Sequence, residues 1–178
     1  MAKTQRKVID KVFILLGVCA AAVLIVVGAL AWWGHSFTTN QVRDELTSQK
    51  IYFPQKGSPS FSPAEFPALQ KYAGQPVDSG VKAKAYANDY IGKHISKIAD
   101  GQTYAQVSSA AQADPSNAAL QTEKATLFQG ETLRGLLLNA YAFGTLGTIA
   151  GYVAITAFVG AAIFVILVLA GLAHLKRL

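Results

Sequence analysis

VFILLGVCAAAVLIVVGALAWW, residues 12–33, is a run of 22 residues without an Asp, Glu, Lys or Arg. As a helix it measures about 33 Å, enough to cross a hydrocarbon core of ~30 Å. It is apolar on every side, which excludes the one-faced helix of a soluble surface. Trp32 and Trp33 stand at its far end, where amphipathic rings settle at the headgroup level, and Lys7 and Lys11 hold the near end. Two rival readings meet obstacles. Ala29-Leu30-Ala31 resembles a small-x-small cleavage site, but the apolar block outruns the roughly 7–15 residues of a signal core. A lipoprotein signal needs a small residue before its cysteine, and Val18 precedes Cys19.

A second apolar block closes the chain. Gly135 to Ala173 is 39 uncharged residues, about 58 Å as continuous helix and nearly twice the bilayer core. Two crossings would need a polar turn inside it, and there is none. Its first part is therefore expected to pack on the domain, with Gly144, Gly147 and Gly151 marking the change of character. The span proper is expected at 149–172, within GYVAITAFVGAAIFVILVLAGLA (151–173), closed by His174, Lys176 and Arg177.

Charge placement gives the direction. The net charge is +6. Lys3, Arg6, Lys7 and Lys11 precede the first block, and Lys176 and Arg177 follow the second. The ten bases from Arg43 to Arg134 are nearly balanced by nine acids. Excess base at the chain ends predicts that both termini are cytoplasmic, in a multi-pass protein of the cell membrane. The layout is a basic tail 1–11, a span 12–33, an exoplasmic domain 34–148, a span 149–172 and a basic tail 173–178. No basic stripe interleaved with aromatics exists, so no nucleic-acid partner is expected. The lone Cys19 permits no intramolecular disulfide.

The fold class expected is all-α, a membrane helical hairpin with a small helical domain between its arms. Val42 and Leu46 share a helix face, so the first span should continue outward and break near Gln49. Ile51 and Phe53 then alternate as an extended piece. Five of the six prolines fall in 54–76, which should be an irregular wrap. Within it Ser62-Pro63-Ala64-Glu65 has the pattern of a helix start, with Phe61, Phe66, Leu69 and Tyr72 on its buried side. Residues 81–99 carry helical periodicity and Gly101 stops them. Thr103 to Gln106 fits a capping box. Asp114-Pro115 is a further start, for a helix running to about Phe128.

Chemistry is sparse. His35 and His174 belong to opposite membrane faces and His94 to a helix, so no metal set converges and no metal or other cofactor is expected. Ser58, Ser60 and Ser62 lie among prolines without a nucleophile elbow, and Cys19 is inside a span, so no catalytic residue is assigned. Neither span holds an ionisable group other than Cys19, which argues against transport. What remains is packing. Gly147-x-x-x-Gly151, continued by Gly160 and Gly171, and Gly17-x-x-x-Ala21 let helix backbones approach closely; the plainest occupant of each is the chain's other span. Glu131 and Arg134, at helical spacing, form an ion pair on a helix surface or dock a partner or lipid headgroup. Gly147, Gly151, Glu131 and Arg134 are thus the candidate packing and partner contacts.

VRDELTSQKIYFP (42–54), AYANDYI (85–91) and LFQGETLRGLLLNAY (127–141), taken with the two spans, resemble a group of uncharacterised two-span membrane proteins of actinobacteria. Some members carry the label of an aromatic ring-opening dioxygenase, but iron-dependent ring cleavage needs a converging His/carboxylate set that these residues do not supply. The function expected is a structural or accessory membrane protein, not an enzyme. Its exoplasmic domain would contact an envelope partner, a larger membrane complex or a second copy of the chain. The alternative is a lipid- or small-molecule-binding module with the Phe/Tyr-rich wrap at 52–72 as one wall of a pocket.

Overall fold

Helix α1, Lys3–Ser48, opens the computed structural model, which describes residues 3–177. Met1, Ala2 and Leu178, the extremities of the two basic tails, lie outside the described residues, as do the side chains of Lys3 and Thr4. The order continues through α2 (Gly80–Ala85), a π-helical segment (Tyr86–Ile91), α3 (Gly92–Ile98), α4 (Tyr104–Ala113) and α5 (Ala118–Arg177). The chain is 82% helical, with no strand among the described residues. Two helices, α1 and α5, are long and apolar enough to cross a membrane. The most apolar window of each is only 17% buried, whereas the central helix of a soluble protein hides such a window almost completely. Outward-facing residues include Phe13, Leu30, Leu146 and Ile166, each more than half exposed. A surface of that extent suits lipid rather than water.

Two compact units divide the chain. One comprises residues up to Phe37 with those from Leu146 onward; the other is Thr38–Thr145. In the first, α1 and α5 meet on small residues, with Ala21, Ala154, Ala157 and Ala161 buried. A methyl group at Gly17 would stand 2.7 Å from Val168, and one at Gly28 would stand 2.8 Å from Phe158. Gly160 faces Leu24 and Gly171 faces Ile14. Each of these glycines thus faces the chain's other apolar helix.

In the second unit, α1 ends at Ser48 and Lys50 turns the chain with a left-handed φ of 53°. Residues 51–53 run extended: Phe53 N–H donates to Gln75 O, and Val77 N–H to Ile51 O, both at 2.9 Å. The proline-rich wrap holds two short 3₁₀ turns, Pro59–Phe61 and Pro67–Tyr72. The helix expected from Ser62 does not form. Its cap is present, with Glu65 N–H 3.3 Å from Ser62 Oγ. But Pro67 disfavours helical backbone at Phe66, which adopts φ −123°, ψ 52°, and the turn cannot propagate.

Aromatic rings fill the core. Phe53, Phe61 and Phe66 are almost wholly buried, joined by Leu69, Val77, Ala83, Ala87 and Leu137. Phe53 stacks on Tyr72 and meets Tyr86 edge-on, both at 5.1 Å between centroids. A smaller cluster unites Ile95, Ala99, Val107 and Leu127. The helix expected over 81–99 is present but carries the π segment, and Gly101 closes it with φ 78°. The Thr103/Gln106 capping box forms in full. Two boundaries of α5 differ from expectation. Asp114 and Pro115 make a turn, and Asn117 takes the cap, its Oδ1 accepting from Leu120 N–H at 3.2 Å. The helix then passes Phe128 without a break as far as Arg177. Leu137 buries itself in the domain core, as expected for the first part of the long apolar block.

Candidate functional site

Arg134 and Glu131 sit on α5 three residues apart, so their side chains rise on one face. Arg134 Nη1 donates to both carboxylate oxygens of Glu131 at 2.9 Å. The guanidinium also reaches back to the π segment, where Nη2 donates to Asn88 Oδ1 at 3.3 Å. It lies against Gly92, where a methyl group would stand 3.4 Å from Nε. Arg134 Nε itself is buried and has no hydrogen-bond partner. Arg134 is therefore more than half of a surface ion pair: it ties α5 to the π segment and lines a cleft.

That cleft, about 540 Å³, is completed by Glu65, Lys93, Ser96 and Lys97. Glu65 arrives on the turn that Pro67 aborts, and Lys93 and Lys97 stand one helical turn apart on α3. Lys97 Nζ pairs with Glu65 Oε1 at 2.6 Å. The Lys97 hydrogen bond and charge, helped by nearby His94 and Lys93, hold the Glu65 carboxyl below its ordinary value despite some burial. Lys93 Nζ donates to the main-chain oxygen of Glu65 at 2.8 Å and lies 5.2 Å from the Phe66 ring centre. Of these residues, sequence reasoning had singled out only Arg134. Glu65 reads from the sequence as a capping residue, and Lys93 and Lys97 enter only among the ten bases that nine acids nearly balance.

The aromatic wrap serves differently from the expected pocket wall. Its rings pack on one another: Phe61 stacks on Phe66 at 5.6 Å, and Tyr90 covers both. Burial pushes the Tyr86 hydroxyl above its ordinary pKa, with Tyr90 adding to the shift. His94 joins this stack, lying within 7° of parallel to Phe66 at 5.6 Å, and its Nδ1 donates to Tyr90 O at 2.9 Å. Among the described residues no three His, Cys, Asp or Glu side chains converge as a metal set.

In the paired apolar helices, the structure brings Gly147 and Gly151 to His35. His35 Nδ1 donates to Gly147 O at 2.8 Å. A methyl group at Gly151 would stand 2.9 Å from the same nitrogen. The GxxxG face thus seats an imidazole, a role that its reading as an interfacial residue does not contain. Toward the other end of this pair, a groove of about 540 Å³ runs between Phe13, Gly17, Phe164 and Val168, with Asp10 and His174 also on its walls. Asp10 Oδ2 is buried there without a partner.

No protein-family model, curated protein or solved structure matches this chain. The two sites stand on their own geometry.

Proposed function

We propose that the chain is a structural or accessory protein of the cell membrane, with both termini cytoplasmic and its helical domain on the exoplasmic side, where it contacts an envelope partner or a larger membrane complex. The observation that carries the membrane part of this reading is the seating of α1 on α5 through His35, Gly147 and Gly151. The two apolar helices are matched to each other, and the domain lies between them in sequence, tethered at both ends. Bases at both outer ends of the pair (Arg6, Lys7 and Lys11; Lys176 and Arg177) support the orientation. Purification of the full chain in mild detergent, followed by identification of co-eluting proteins, tests the proposal. A stoichiometric partner or a homo-oligomer is the expected result, and a clean monomer overturns it.

A second reading, a membrane-anchored module that binds a lipid or small molecule, is favoured by one observation. The domain carries a polar cleft lined by Arg134, Lys93 and Lys97. The binding wall of this reading is therefore that cleft, since Phe53, Phe61, Phe66 and Tyr72 pack among the core rings.

A further inference from the structure

The cleft holds more positive charge than its own acids cancel. Lys97 is engaged by Glu65, and one arm of Arg134 by Glu131. Lys93 has no carboxylate in ion-pair contact among the described residues; a main-chain oxygen and the face of Phe66 are its neighbours, and neither bears a formal charge. The uncancelled charge of Lys93, beside the Arg134 guanidinium, suits one kind of visitor, an anion.

We propose that this cleft binds a phosphate group, held by Lys93 and Arg134 with Ser96 and Asn88 as neutral hydrogen-bond partners. The proposal rests on the second reading above and is independent of which side of the membrane the domain faces. Phosphate fits better than a carboxylate because its oxygens point in several directions, and the donors come from α3, from α5 and from the π segment that precedes α3. Lys93 supplies a point charge, and Arg134, its Nη1 held by Glu131 and its Nη2 shared with Asn88, adds its charge and the second Nη2 N–H. The amide of Asn88 and the hydroxyl of Ser96 can each donate as well as accept. Gly92 leaves room for the guanidinium, and the cleft is open to its surroundings, so a phosphate can enter it with the group that carries it still outside. The π segment, a feature often found at functional sites, supplies Asn88. The phosphate can belong to a soluble molecule or to a lipid headgroup, and the test separates the two.

The full chain in non-ionic detergent is titrated with inorganic phosphate at constant ionic strength. In parallel, micelles are doped with phosphatidic acid or with phosphatidylcholine, and binding is followed by thermal shift. Saturable binding is expected in at least one arm. It should weaken about tenfold in Lys93→Gln and in Arg134→Gln, the size expected for one charge-assisted hydrogen bond. Lys56→Gln, which removes an equal charge from an exposed site away from the cleft, should bind like wild type. Binding of inorganic phosphate identifies a soluble source, and binding of phosphatidic acid alone identifies a headgroup. Circular dichroism checks folding; if Arg134→Gln does not fold, the exposed Lys93→Gln decides. No saturable binding in either arm, or wild-type binding by Lys93→Gln, overturns the proposal and leaves the co-elution result untouched.

Discussion

His35 is the residue whose environment most changes its reading. Its imidazole bonds Gly147 O at 2.8 Å and rests on Gly151. Hydrogen bonds between helices in membranes are worth about 0.6 kcal/mol on average and up to about 1.7. His35→Phe should therefore destabilise the helix pair by about that much. Gly151→Leu should do more, since it evicts the ring and removes the bond as well. Unfolding in graded denaturing detergent measures both; a Gly151→Leu chain as stable as wild type would show that this contact does not hold the pair. Glu65 gives a pH prediction. Its folded pKa is lowered below the ordinary 4.5, so it binds fewer protons folded than unfolded. Its stabilisation is then full above about pH 4.5 and fades as pH falls through the lowered value. Lys97→Ala should flatten this acid-side slope by removing the stabilisation present at neutral pH, while changing little below the lowered pKa, as thermal melts between pH 3 and 7 would register.

At the scale of elements, caps and prolines decide where helices begin. Thr103 satisfies Gln106 N–H and Gln106 answers at Thr103 N–H. Thr103→Ala should cost about 1 kcal/mol, the usual value of such a cap. Asp114→Ala should cost less than Asn117→Ala, because Asn117 makes the capping bond to α5; chemical denaturation of the three variants ranks them. The capping box was legible because both partners are local. The start of α5 was misplaced by a few residues because Asp-Pro and Asn serve equally as starts until the preceding turn is known. The π segment left no sequence mark, since Ala83, Ala87 and Ile95 keep helical spacing whether or not one turn is widened. Its rings, Tyr86 and Tyr90, are held by Phe53, Phe61 and Phe66 from a distant stretch of chain. Phe61→Ala, emptying a fully buried site, should cost about 3–5 kcal/mol and lower the melting temperature of the domain more than any change in the cleft.

For the molecule as a whole, the decisive prediction concerns sidedness. In a Cys19→Ser background, Lys56→Cys should react with a membrane-impermeant maleimide in intact cells, and Arg177→Cys only after lysis. The reverse pattern would invert the proposed topology. The two hydrocarbon-length blocks and their flanking charges were determined by the sequence alone, because span length and charge asymmetry are properties of the chain measured against a bilayer. The all-α class followed from periodicity and caps, which act within a few residues. Tertiary structure decided the rest. Only folding sets Arg134 beside Asn88, Lys93 and Glu65, places His35 over Gly151, and turns a run of aromatics from a supposed pocket wall into a filled core. Those outcomes depend on contacts between residues tens of positions apart, whose competition for the same space leaves no local trace.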